Sequence, residues 1–483
     1  MTRPLVTRLD NILNPSHERV LIRPFLPHDE NRCYRIIARV TALSEAAVAE
    51  LLARVLEEFS ARHQDIRAVL ARHYKMVEQW TITDDELSEE RRLLIGAYFT
   101  QEYALESAAL FNPSIVPHPD QKETPAGAVR FIMSLRATGE GHISSIVFRE
   151  GLITAENKIR LRRPTPFVTE PEVIPCQVYE KPLFRRKIAE LGYENGFSRA
   201  VFDELHDSFT LAELSSQVER TRRTRPASGE AEITAEGMLA LAYSNYEVAF
   251  DPGQRTSEKV IYPTTPSQRN GIEDARFVLF REDDGFRRYY GTYTAYDGKT
   301  ILPQLIETED FVSFKFITLN GPAVRNKGMA LFPRRIKDHY VMLSRQDNEH
   351  LYVMYSDNIH FWYEPLLLLK PTFTWEFVQI GNCGSPIETE RGWLVLSHGV
   401  GPMRRYCIGA FLLDKDDPSR VIGRLREPLL EPDENEREGY VPNVVYTCGA
   451  LAHGNRLIIP YAMSDYATRF AVADIDNIID AME

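Results

Sequence analysis

A β-propeller, an all-β ring of radially arranged sheets, carrying helical additions is the fold class that this sequence predicts. Three observations lead there. From about residue 112 to the C-terminus, short runs rich in β-branched and aromatic residues alternate with Gly, Asn and Asp, which is the texture of many strands joined by turns. Those roughly 250–300 β-rich residues exceed one simple sandwich, whereas blades of about 40–55 residues each accommodate them. Ahead of residue 110 the pattern is helical, and a polar helical stretch at 181–225 interrupts the strands.

Taken along the chain, Val48, Leu51, Leu52, Val55, Leu56 and Phe59 recur at the spacing of one helix face. A second stripe follows at Ile66, Val69, Leu70, Tyr74 and Val77. Asp84, Asp85 and Glu86 suit the N-terminus of a third helix, since acids favour the positive end of the helix dipole. That helix continues through Leu93, Leu94, Ala97 and Tyr98 towards Leu110, so residues 1–110 form an N-terminal helical region. Its stripe must be buried, against the propeller or a neighbouring subunit. Residues 111–483 are the propeller, with strands expected at Val129–Leu135, Ile143–Phe148, Phe277–Phe280, Tyr289–Tyr296 and Phe311–Thr318. Others are expected at Tyr340–Leu343, Leu351–Tyr355, Trp393–Ser397, Ile408–Leu413 and Leu457–Tyr461. No WD or kelch signature sets the number of blades.

The 483 residues are 43% hydrophobic and 26% charged, which excludes a disordered, collagenous or disulfide-scaffold chain. A net charge of -12 argues against nucleic acid or an anionic membrane as partner, though a local Arg and Lys cluster can still hold a small anion. The five cysteines, Cys33, Cys176, Cys383, Cys407 and Cys448, are widely spaced with no CxxC, so no metal site or disulfide framework is expected. The start MTRPLVTRLDN has no apolar secretory core. A reduced cytoplasmic protein is the expectation.

Four polar strings stand out. Asn270-Gly271-Ile272-Glu273-Asp274-Ala275-Arg276-Phe277 sets two carboxylates beside an arginine where a turn enters a strand, a setting that can push two pKa values apart. Asn326-Lys327-Gly328 and Arg345 place cations at the ends of apolar strands, where they need an anion to offset desolvation. Ser397-His398-Gly399 closes the strand WLVLS, and Arg136 closes RFIMSLRA ahead of Gly139-Glu140-Gly141-His142. Taken singly, the first three are better explained structurally, as a surface ion pair, a snorkelling cation and a packed histidine, and a tight hairpin explains the fourth equally well. The GxSxG elbow, the Walker loop, HExxH and a strand-to-helix GxGxxG are absent from the sequence.

In combination the strings resemble glycoside hydrolase family 130, the β-mannoside phosphorylases and related mannosidases. The likeness runs from about Asn112 to the C-terminus. It comprises Phe111-Asn112-Pro113-Ser114, the strand ending in Arg136, Glu273-Asp274-Ala275-Arg276, Asn326-Lys327, Leu331-Phe332-Pro333 and Arg345. It goes on through Pro386 to Trp393, His398-Gly399-Val400, Val441-Pro442-Asn443-Val444-Val445, Cys448-Gly449 and Tyr461 to Asp465.

The resemblance implies a five-bladed β-propeller and an inverting phosphorolysis: a β-mannoside or manno-oligosaccharide is cleaved by inorganic phosphate to α-mannose 1-phosphate, reversibly. It implies Asp274 as the catalytic acid, its proton passing through the mannose 3-hydroxyl. Arg136, Lys327, Arg345 and His398 fall where relatives surround the phosphate, and Asn112, Glu273, Arg276 and Asp465 fall at sugar-binding positions. No cofactor beyond the phosphate co-substrate is implied, and self-association through the helical additions is expected. Two departures matter. Ala275 stands where many members have proline, and Gln379 stands where some have a phosphate-binding lysine, which predicts weaker phosphate binding. A β-mannosidase, a mannosyltransferase using a nucleotide-activated donor and a non-catalytic carbohydrate-binding propeller are the rival readings.

Overall fold

The computed structural model describes residues 4–83, 85–175, 178–224 and 228–483. The chain is mostly antiparallel β-sheet. Among the described residues there are five sheets of four or more strands. In sequence order the first contains Ala109–Pro117, Val129–Thr138, Ser144–Ile153 and Val260–Ile261. The next pairs Ile272–Arg281, Arg287–Tyr296, Ile301–Thr308 and Ser313–Thr318, extended by Tyr246–Ala249 and Glu172–Pro175. Ala330–Leu331, Tyr340–Ser344, Leu351–Ser356 and Pro365–Leu369 make the third. Gln379–Asn382, Gly392–Val400, Tyr406–Leu413 and Val421–Arg424 make the fourth. In the last, the N-terminal strand Val6–Leu13 pairs with the C-terminal strand Ala467–Asp474, followed by Arg456–Met463 and Val445–Tyr446.

Each strand expected from the sequence coincides with an observed one, usually lengthened at its polar ends. Sheet strands are packed on both faces, as in Gly392–Val400, which is buried throughout and apolar but for Ser397 and His398. The strand Ala109–Pro117 ties separate sheets together. Its Ser114 Oγ accepts from the Phe277 amide at 2.9 Å, and its Pro113 carbonyl accepts from the Cys448 amide at 2.8 Å.

The N-terminal region departs from an all-helical reading. Strands Val6–Leu13 and Ser16–Pro24 precede the helices, and Thr100–Glu106 follows them. The helices are Glu30–Thr41, Glu45–Phe59, Ile66–Val77 and Glu89–Tyr98. Asp84 lies outside the described residues. Helix Glu89–Tyr98 is capped by Ser88, whose Oγ accepts from the Arg91 amide at 3.2 Å, so Glu89 and Glu90 rather than Asp85 and Glu86 occupy its first turn. The helices bury their stripes against one another, through Cys33, Ile37, Val40, Val48, Leu94 and Phe99 in one cluster and Leu52, Ile66, Leu70 and Leu93 in another. His63 and His73 connect them to the following strand, at 2.7 Å to Glu102 Oε1 and 2.7 Å to Thr100 Oγ1.

The insertion is longer than the sequence predicted. Helices Lys181–Glu190, Gly196–Asp203 and Leu211–Thr224 are joined by Gly229–Tyr243, beyond Arg225, which is outside the described residues. That last helix is apolar on several sides and shows no single stripe, so its periodicity was silent. Phe184, Ile188, Val201, Phe202, Leu214, Val218, Met238 and Leu241 give the insertion its own core. Cys33, Cys383, Cys407 and Cys448 are buried free thiols, while Cys176 is outside the described residues. None of the described helices is long and apolar enough to cross a membrane.

One contact sets the spacing of the N-terminal helices. A Cβ on Gly96 would stand 2.0 Å from the Leu70 carbonyl oxygen of the neighbouring helix. Gly96→Ala is therefore expected to destabilise the protein by about 1–3 kcal/mol through overpacking, despite the better helix propensity of alanine. Denaturant unfolding checks this; an unchanged or raised midpoint overturns it.

Candidate active site

Asp274 owes its position to a defect in a strand. Pairing of Ile272–Arg281 with Arg287–Tyr296 shifts register between Glu273 and Arg276, and Asp274 has φ 55°. A bulge of this kind re-aims a side chain away from the ordinary in-out alternation. The strand Ala109–Pro117 shifts register between Phe111 and Ser114, with Asn112 at φ 48°. The two irregularities meet: Asn112 Nδ2 donates to Asp274 Oδ1 at 2.6 Å. Asn326 and Asp465 also have positive φ, 61° and 48°. Non-glycine residues pay for that conformation, and such strain collects at functional sites.

Arg136 cross-links both acids. Its Nη2 donates to Glu273 Oε1 at 2.9 Å, its Nη1 to Asp274 Oδ1 at 3.3 Å and its Nε to Ser144 Oγ at 2.8 Å. Lys327 Nζ lies 3.6 Å from Glu273 Oε2, with its side chain 39% exposed. Asp274, Arg276, Lys327 and Arg345 line one cleft with Thr292, Gly328, Met329 and Tyr446. Arg276 is committed inward, donating to the Met329 carbonyl at 3.3 Å and to Tyr446 Oη at 2.5 Å. Gly328, at φ 91°, leaves room for it: a Cβ there would lie 3.2 Å from Arg276 Nη1. Arg345 is 7% exposed and donates to His398 Nε2 at 3.0 Å.

Electrostatics separates the two aspartates. Burial works to raise the Asp274 pKa, but Arg136, Lys327, the Asn112 hydrogen bond and Arg276 outweigh it and hold the carboxyl below its usual value. Burial, reinforced by the charge of Asp274, pushes Asp465 up to about 7 against the pull of Arg136, Arg404 and Lys327. His398 is driven well below 6.5 by burial, then by Arg345 and Arg276. It is therefore placed as a neutral acceptor towards Arg345. Burial likewise lowers Arg345.

A family model described as β-1,4-mannooligosaccharide phosphorylase, glycoside hydrolase family 130, matches residues 234–483. The chain belongs to this family. A 1,2-β-oligomannan phosphorylase of Thermoanaerobacter sp. (strain X514) is 34% identical over 235 residues, covering 46% of this chain and 75% of that protein. A β-1,4-mannooligosaccharide phosphorylase of Ruminococcus albus is 32% identical over 246 residues, 48% of this chain and 70% of that one. The solved β-1,2-mannobiose phosphorylase of Listeria innocua, in complex with β-1,2-mannobiose, aligns at TM-score 0.46 and 23% identity over 79% of this chain and 93% of that one.

Asn112 and Arg136 precede the segment matched to family 130, and their place in the site rests on the bonds described above. Every candidate from the sequence converges here: Asn112, Arg136, Glu273, Asp274 and Lys327 by direct contact, Arg276 and Arg345 on the cleft wall, His398 behind Arg345, and Asp465 within reach of the charges of Asp274 and Arg136. Tyr446 and Ser144 were missed. Tyr446 falls between Val445 and Cys448, in a stretch whose flanks alone drew notice. Ser144 carries no signal short of its partner Arg136.

The raised Asp465 pKa has a consequence for stability. The unfolded value is 3.8 and the folded value about 7, so the folded state holds this proton more tightly. The resulting stabilisation is complete below 3.8 and is lost as pH rises through about 7. Asp465→Asn, a neutral isostere, is expected to lose less Tm than the wild type between about pH 4 and about pH 8. Thermal scans across that range test it; parallel curves would remove the assignment.

Proposed function

We propose that this chain is an inverting β-mannoside phosphorylase that transfers mannose to inorganic phosphate and releases α-mannose 1-phosphate, reversibly. One observation carries the reading: the half-buried Asp274 carboxyl shares its surroundings with Arg136, Lys327 and Arg345, joining an acid to a cationic cradle. Phosphate is itself the nucleophile, so the protein has only to bind it on the face of the sugar opposite the leaving oxygen and protonate that oxygen.

In this reading Asp274 is the acid, acting through the mannose 3-hydroxyl, and Asn112, Glu273, Arg276 and Asp465 hold the sugar. The cations that keep Asp274 ionised in the free protein are those that receive the phosphate. A dianion there takes up their charge, and the Asp274 pKa rises towards the value that burial imposes. The acid is thereby loaded as the nucleophile arrives. Hydrolysis would need a second carboxylate free to activate water. Glu273 is tied to Arg136 and Lys327, which supports phosphorolysis.

The architecture of the same proposal is a five-bladed propeller of residues 111–483, closed by the N-terminal strand Val6–Leu13. The five antiparallel sheets and the pairing of the two chain ends support it. Self-association through the helical additions belongs to this reading too. Exposed Leu183 and Ile233 on those helices support it, and light scattering tests it.

Incubating the protein with β-linked manno-oligosaccharides is expected to release mannose 1-phosphate only when inorganic phosphate is present. Free mannose formed at the same rate without phosphate would replace this reading by a β-mannosidase. Asp274→Asn is expected to lower turnover about 10²–10⁴-fold, the usual worth of a general acid. Arg345→Ala is expected to raise the KM for phosphate far more than that for the sugar.

A further inference from the structure

Arg345 differs from Arg136 in what holds it. Arg136 meets two carboxylates, whereas among the described residues no carboxylate makes a salt bridge with Arg345. Its partners are neutral. His398 Nδ1 faces the Asn382 carbonyl oxygen at 3.2 Å. A carbonyl only accepts, so Nδ1 carries the proton and the Nε2 lone pair receives Arg345 Nη1 at 3.0 Å. The imidazole lies across the strand pair because residue 381, opposite it in register, is glycine. A Cβ there would stand 2.4 Å from His398 Cε1. Tyr406 stacks on the ring at 6.0 Å and Tyr446 meets it edge-on at 5.1 Å.

Gln379 completes the arrangement. With its carboxamide oxygen towards Arg345 it accepts from Nη1 at 2.5 Å, and its nitrogen donates to the Asn348 carbonyl at 3.2 Å. The opposite orientation would set oxygen against the Asn348 carbonyl and NH₂ against the guanidinium; in the orientation adopted the oxygen also lies 3.3 Å from His398 Nε2, the two acceptors sharing the Arg345 Nη1 amino group.

We propose that Gln379 is a positioning residue which, with His398, seats the Arg345 guanidinium on two neutral acceptors and so sets the affinity for phosphate without cancelling the charge that binds it. The inference rests on the phosphorylase reading and explains why an amide serves where the sequence suggested a lost lysine. A carboxylate at 379 would aim Arg345 equally well but neutralise it. An apolar side chain of the same length would leave the charge and lose the aim.

The test compares Gln379→Met and Gln379→Glu with the wild type, after circular dichroism has shown each to be folded. Inorganic phosphate is the probe, by titration calorimetry and by KM. Gln379→Met is expected to weaken phosphate binding about tenfold, the scale of one lost hydrogen bond to a charged group, and Gln379→Glu to weaken it further. The KM for sugar should stay within about twofold in both. Unchanged phosphate affinity in Gln379→Met, or an equal loss for sugar and phosphate, overturns the proposal. A second readout needs neither phosphate nor turnover: imidazole ¹⁵N shifts, with His398 assigned through His398→Gln. The Nδ1–H tautomer is expected in the wild type, and Gln379→Glu should raise the His398 pKa, since its carboxylate would face Nε2. An Nε2–H tautomer in the wild type, or a His398 indifferent to Gln379→Glu, overturns the geometry whatever the activity. Phosphate-independent turnover accompanied by the expected ¹⁵N shifts would instead reject the phosphorylase reading and uphold the seating of Arg345.

Discussion

Taking the Asp274 carboxylate out of water is the constraint around which the site is organised. An ionised carboxylate in that setting is tolerable only when cations and donors replace its hydration. Asn112 supplies a donor, Arg136 a charge-assisted bond, and Lys327 and Arg276 the surrounding field. Arg136 must also satisfy Glu273, so the two adjacent acids and one arginine lock two chain segments together, and Asn112 ties in a third. The cleft keeps cations beyond those its carboxylates consume. That excess makes it receptive to an anion within a protein whose net charge is -12.

Backbone strain is the means by which the constraint is met. A regular strand would send alternate side chains to opposite faces, and Asp274 could not then meet Asn112, Arg136 and the cleft together. The bulge at Glu273–Arg276 and its counterpart at Phe111–Ser114 abandon that alternation where two sheets meet. Positive φ at Asn112, Asp274, Asn326 and Asp465 costs roughly 1–2 kcal/mol for each such residue. The sheets on either side supply the packing that holds these conformations in place. Gly328 and Gly381 work differently: their missing side chains admit Arg276 and the His398 ring.

The helical additions are stabilised largely from within. The N-terminal helices and the insertion each have an apolar core of their own. Histidine bonds to Glu102 and Thr100 join the first to the strand Thr100–Glu106, while Glu190 of the insertion accepts from the Gly321 amide at 3.2 Å. Units with separate cores can be added to a sheet scaffold without disturbing the register that sets its active residues.

Sequence by itself determined the strands, the helical stripes and the residue types of the site, because apolar periodicity and turn chemistry are local properties. It also marked Glu273-Asp274-Ala275-Arg276, Lys327, Arg345 and His398, since charge at the end of an apolar strand is conspicuous in one dimension. It did not show the strands at 6–24, whose partners lie elsewhere in the chain, nor the helix Gly229–Tyr243, whose apolar residues form no stripe. Tertiary structure alone decided that the His398 pKa is driven down, that the Asp465 pKa is pushed up while that of Asp274 is held low, and that Gln379 is a seat for Arg345. Each depends on burial and on charges contributed from distant segments, and the free energy of a proton or a guanidinium is set by neighbours in space, whatever their distance along the chain.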